Sequence, residues 1–211
     1  MVEYTQGGRT RTMAFLRRLF GLNTTSPRKN AAPLAPNIVV AVAELETHLV
    51  RMASAVAADF QSIQTNSFRA THAEFEVLYA YLNYADRSFF GLFGPAVRKR
   101  ALEVIEGSLP QRITAAFCGG WPEPLQKKHV AEFLVNMRNG EQEYGLCKPT
   151  GLPRQDDVFM RCAINALEDL GHSEDSSKAL SLCLKLMSVY VEMPMAPYVE
   201  KLGKALMNSS T

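Results

Sequence analysis

The chain has 211 residues, of which 47% are hydrophobic and 21% charged, and a formal net charge of +2. That is enough apolar material for one sizeable core, and the near-neutral balance excludes a general electrostatic pull toward nucleic acid. Four cysteines, Cys118, Cys147, Cys162 and Cys183, are scattered without a C-x-x-C pair, which speaks for reduced thiols in a cytosolic setting rather than a disulfide framework or zinc site. No uninterrupted apolar run approaches the roughly 20 residues that span a bilayer.

Residues 1–35 differ in composition from everything that follows, being rich in Thr, Arg, Asn, Gly and Pro. They read as a mobile basic arm containing one short amphipathic helix, in which Phe15, Leu16, Leu19 and Phe20 line one face and Arg17 and Arg18 the other. Two folded readings stand for this helix, beside a third in which the segment stays disordered. It docks on the protein's own surface or a sister subunit, or it lies on an anionic membrane surface with Arg9, Arg11, Arg28 and Lys29 adding attraction. Two turns bury too little area for firm insertion alone. The arginine pair breaks the apolar stretch, against a secretory signal, whereas a mitochondrial presequence remains compatible because Glu3 is the one acid before Glu44. Met13 is a second candidate start, which would place residues 1–12 outside fold reasoning.

From Asn37 onward the period is helical almost throughout. The expectation is an all-α fold, an irregular bundle of six to eight helices forming a single domain over residues 36–211. No fixed-period repeat is visible, which disfavours a solenoid. The first helix is expected from Asn37 to about Gln64, burying Ile38, Val42, Leu45, Leu49, Met52, Val56, Phe60 and Ile63, with Glu44, Glu46, His48 and Arg51 on its flanks. After a short connection the second helix, 68–93, returns antiparallel. Its seam of Phe68, Phe75, Tyr79, Leu82, Phe89 and Phe93 also contains His72 and Asp86, while Tyr81 and Tyr84 point to the flank.

Gly94-Pro95 ends that helix and opens a third over 95–106, with Gly107 expected as its left-handed cap and a short helix over 108–117 beyond it. Trp121 falls in a loop, a helix is expected over 124–138, and an irregular stretch over 139–154 follows. The next helix spans 155–170, with Asp156 and Asp157 in its first turn and Gly171 as its stop. A final long helix from Ser173 or Asp175 is apolar on nearly every side and is expected to be the central, most enclosed one. Pro194 and Pro197 break it, and a short helix over 198–207 closes the fold.

A carboxylate aimed at a core needs a partner or a shifted proton, so Asp86 is the strongest polar anomaly. With Arg98 just past the Gly-Pro corner, it is expected either as a buried joint between helices or, with His72 and Tyr79, as the wall of a polar pocket. The pairs Glu44/His48 and His72/Glu76 are each four apart and would suit iron, manganese or zinc if brought together. The order and spacing differ from the Glu-x-x-His of carboxylate-bridged bundles, so no metal and no cofactor is assigned. No nucleophile elbow or phosphate-cradling loop appears, and no catalytic residue is named. Arg98 to Arg100 and Lys127-Lys128 are small clusters that solvated faces explain, which disfavours a nucleic-acid partner.

The sequence thus points to a non-enzymatic interaction protein, an adaptor or assembly factor. It is expected in the cytoplasm, peripheral to a membrane through its arm, with a protein partner or a second copy of itself. The handles would be the arm, Phe90 at the 89–93 corner, and Trp121. The alternative is a small-molecule or metal-binding helical protein, enzymes included, with its pocket near His72, Tyr79 and Asp86.

Overall fold

A computed structural model describes residues 34–209 apart from Asp59, Thr65, Ser173 and Glu174. The amphipathic segment of the arm therefore lies outside the described residues. Among those described, the fold is all-helical, and one isolated β-bridge joins Lys148 to Asp157.

Helix α1, Pro36–Ala57, starts on a proline whose fixed φ suits the first turn. Its core stripe is the expected Ile38, Val42, Leu45, Leu49, Met52 and Val56, and the chain then breaks before a single helical turn at Phe60–Ile63. Two flank positions need correction, because Glu46 and His48 are buried. Glu46 accepts hydrogen bonds from Ser108 Oγ at 2.5 Å and from Arg112 Nε at 2.7 Å, partners that lie some sixty residues further along the chain. Burial pushes its carboxyl pKa up, and the bonds from Ser108 and Arg112 oppose the rise.

Helix α2, Ser67–Phe117, is the spine of the fold and packs on α1 and on three later helices. Asn66 caps it, its side chain accepting from the backbone N–H groups of Phe68 and Arg69. Gly94 divides it into two limbs, with φ 76° and ψ −178°, a conformation that only glycine takes at little cost. In the first limb every residue from Val77 to Asp86 is buried, so the helix is enclosed on all sides there, and Tyr81 and Tyr84 are core groups instead of flank groups. The second limb runs straight through Gly107, which takes no left-handed cap, and through Pro110. Ala101, Ile105, Leu109 and Ile113, spaced by four, form one buried stripe across those positions. Burying that stripe outweighs the cost of about 1 kcal/mol for a helical glycine.

Helix α3, Glu123–Gly145, extends a full two turns past the expected stop at 138. Gly140 is a contact residue there, not a turn residue, since a β-carbon on it would lie 3.1 Å from Cβ of Tyr79. Helix α4, Val158–Leu170, begins after Asp157, whose side chain caps it, and ends at Gly171 with φ 83°. Helix α5, Ser176–Glu192, is capped by Asp175, and α6, Ala196–Asn208, follows the Met193–Met195 break.

The expectation that α5 is central is overturned, because α2 holds that place. Among its own residues α5 buries Ala179, Leu182, Cys183, Leu186 and Val189, packing chiefly on α4 and α1. Its outer side leaves Leu180, Leu184 and Val191 exposed. No single described helix is long and apolar enough to cross a membrane, and α5 with α6 meets that length and composition only as a pair bent by 58°.

Candidate functional site

An open groove of about 720 Å³ lies between α5 and the segment before α4. Asp157, itself completely buried, builds one wall. Its Oδ2 accepts from the Thr150 N–H at 2.9 Å, the Thr150 hydroxyl at 3.0 Å and the Gly151 N–H at 3.1 Å, while its Oδ1 caps α4 at the Phe159 N–H, 2.8 Å away. One carboxylate thus pins loop and helix together, and Gly151 supplies the positive φ of 62° that the turn requires. The opposite wall is α5, through Leu184, Met187, Ser188, Val191 and Glu192.

Three aromatic rings from three helices form the floor. Tyr84 stacks on Phe159 with centroids 4.6 Å apart, and Tyr190 leans on both at 4.8 and 5.6 Å. Burial raises the pKa of both tyrosines, Asp157 and Tyr190 adding to the rise at Tyr84, so the phenols stay protonated and are no bases or nucleophiles at neutral pH. The groove is therefore a surface of apolar and aromatic contact, with Ser188 donating to Glu192 at 2.6 Å along its rim. Such a lining suits apolar contact.

The four residues expected as a polar pocket or joint do not form one cluster. Asp86 and Arg98 meet in a bidentate ion pair across the Gly94 kink, Nε to Oδ1 at 2.5 Å and Nη2 to Oδ2 at 2.8 Å. Beside them Arg138 on α3 holds Glu106 at 2.8 Å. Glu141 faces this group, its carboxyl pushed up to about 7 by burial first and then by the charges of Asp86 and Glu106, with Arg98 and Arg138 opposing. His72 lies some four helical turns away, roughly 21 Å along the axis, so it shares no pocket with Asp86. Its ring packs against Phe68 at 4.5 Å and His129 at 5.5 Å. Tyr79, buried between them in sequence, packs on Phe133 at 5.4 Å.

The expected contact handles divide. Phe90 is 57% exposed at the corner, next to exposed Leu92. Trp121 is half-buried, stacked on Phe68 at 5.2 Å and edge-on to His129 at 4.7 Å. Phe15, Leu16, Arg17, Arg18, Leu19 and Phe20 lie outside the described residues.

The two carboxylate–histidine pairs are engaged separately. Glu44 binds Lys201, and His48 stacks on Tyr198 with its Nε2 3.2 Å from the Met193 carbonyl. Glu76 accepts the Tyr144 hydroxyl at 2.8 Å. Among the described residues no three potential ligands gather in a metal-binding group. All four cysteines are free and buried, and burial drives the thiols of Cys118 and Cys183 up to about 11, leaving them protonated and poor nucleophiles.

Sequence reasoning set Tyr84 toward a flank and did not single out Phe159, Tyr190 or the outer face of α5. Along that face Leu180, Leu184, Met187 and Val191 follow one another by four, three and four, but the other side of α5 is equally apolar, so spacing alone did not mark the open side. Compared with family models, curated proteins and solved structures, the chain matches none of them.

Proposed function

We propose that this protein is a non-enzymatic helical adaptor, and that its principal contact surface is the outer face of α5 together with the adjoining groove. The observation that carries the reading is the row Leu180, Leu184, Met187 and Val191. The first, second and last are 43%, 51% and 76% exposed, and Met187 is half-buried beside them. Four-three-four spacing places these side chains on one seam, the pattern by which a helix receives another helix. A solvent-facing helix would carry charges on such a seam. Here the seam is apolar and lies beside an aromatic-floored groove into which a partner's side chains fit.

The interior chemistry supports the same reading. Glu46, Asp86 and Asp157 hold hydrogen-bonded partners inside the protein, so these carboxylates are committed to the fold. The corner bearing Phe90 and Leu92 provides a second apolar handle, so the adaptor would join two partners at separate faces. By its composition the arm suits a third role at an anionic lipid surface, through Phe15, Leu16, Leu19 and Phe20 with Arg17 and Arg18.

The test compares partner recovery by in-cell cross-linking for the wild type, for Leu184→Glu/Val191→Glu, and for Lys127→Glu on a remote face. Selective loss from the α5 variant is expected. An unchanged partner set would overturn the reading. Co-sedimentation with vesicles of anionic phospholipid, lost in Arg17→Ala/Arg18→Ala, tests the arm.

A further inference from the structure

The seam on α5 is its own complement. Two helices packed antiparallel meet in the same geometry only when the order of intervals along one matches the reversed order along the other, and four-three-four reads identically in both directions. We propose that α5 pairs antiparallel with α5 of a second copy of this chain, with Leu180 facing Val191 and Leu184 facing Met187 across a two-fold axis. This rests on the reading of the α5 face as the contact surface, and it names the partner.

The flanks choose this occupant and this direction. Ser181 and Ser188, both exposed, border the seam with small uncharged side chains that let a second backbone approach. The charges near the ends of α5 are Asp175 and Lys178 at one end and Glu192 at the other. Antiparallel pairing brings Lys178 of each copy beside Glu192 of the other, whereas parallel pairing would set lysine on lysine and glutamate on glutamate. Lys178 already lies 3.3 Å from Asp175, and Glu192 takes the Ser188 hydroxyl, so this contact contributes orientation more than affinity. Lys185 comes near its own copy at the two-fold axis, a repulsion that weakens the dimer without setting its register. The interface is isologous and closes after two copies. Leu180 of the second copy then covers Val191 at the mouth of the groove.

Light scattering across a concentration series tests the pairing, with circular dichroism confirming that each variant is folded. The wild type is expected to pass from monomer to dimer mass, and Leu184→Glu to remain monomeric at every concentration. Lys178→Glu should weaken association about tenfold, the factor that roughly 1.4 kcal/mol represents, and Lys178→Glu/Glu192→Lys should restore it. Residues 181 and 188 are two turns apart, about 10.5 Å, too far for a disulfide within one helix. Ser181→Cys/Ser188→Cys should therefore cross-link into covalent dimers on oxidation, while Ser181→Cys alone should not.

A wild type that stays monomeric overturns the second copy as partner. If Leu184→Glu/Val191→Glu still loses other partners in that case, the contact face itself stands. A dimer indifferent to Leu184→Glu, or Ser181→Cys alone cross-linking as well as the pair, also overturns the pairing.

Discussion

The ring of Phe93 occupies the space that a β-carbon on Gly203 would need. Phe93 closes the first limb of α2 just before the kink, and α6 crosses it at the one residue that leaves room. Gly203→Ala is therefore expected to destabilise the fold by about 1–3 kcal/mol through overpacking, even though alanine is the better helix former. Chemical denaturation measures this. Phe93→Leu combined with Gly203→Ala should recover part of the loss, and strict additivity of the two changes would refute the steric account.

The Asp86–Arg98 pair spans the kink, so it ties the two limbs of α2 at a fixed angle. Arg98 is 41% exposed at its side chain and Asp86 only 9%, so removing the arginine strands the buried partner, whereas removing the aspartate leaves a cation that water can reach. Arg98→Gln should accordingly cost more than Asp86→Asn, by about 1 kcal/mol. A double-mutant cycle in denaturant gives the coupling, and equal single costs would contradict this asymmetry.

Glu141 gives stability a pH dependence of definite sign. Its carboxyl is pushed up to about 7 from 4.5, so the folded protein holds a proton there that the unfolded chain releases. Its stabilising effect is fully present below about pH 4.5 and is lost as pH rises through 7. Asp86 and Glu106 add to the rise, and Arg98 and Arg138 oppose it. Stability contributed here should fall by on the order of 2 kcal/mol across that window, and Glu141→Gln should flatten the fall. Urea melts at several pH values decide it: a slope unchanged in the variant would exclude Glu141 as its source.

Asp157→Ala should remove a helix cap and three bonds to the 150–151 turn in one step. A loss of about 2–4 kcal/mol is expected, with faster amide exchange at Thr150, Gly151 and Phe159. Asp157→Asn keeps an acceptor and should lose less. Exchange confined to Phe159 would show that the loop is held by other means.

How much of this fold was legible in the chain depended on distance. The stripe from Ile38 to Val56 needs only one helix to explain it, so periodicity alone reveals it. Glu46 looked like a flank because its burial depends on Ser108 and Arg112, partners that no local pattern announces. Gly107 resembled a cap, but a stripe shared by residues on both sides of it outweighed a one-residue preference. For α5, uniform hydropathy could not say which side neighbours would cover, and the uncovered side became the candidate surface. The separation of His72 from Asp86, by contrast, follows from helical rise and was calculable from the sequence.

Helix α6 packs on α1 as well as on α2, joined by the Glu44–Lys201 ion pair and the stack of His48 on Tyr198. The part of α1 that faces α6 is thus made early on the ribosome and covered last, after α2 has packed on the rest. Until α6 has emerged, the growing polypeptide carries an open greasy flank, and that waiting form is the one most exposed to chaperones.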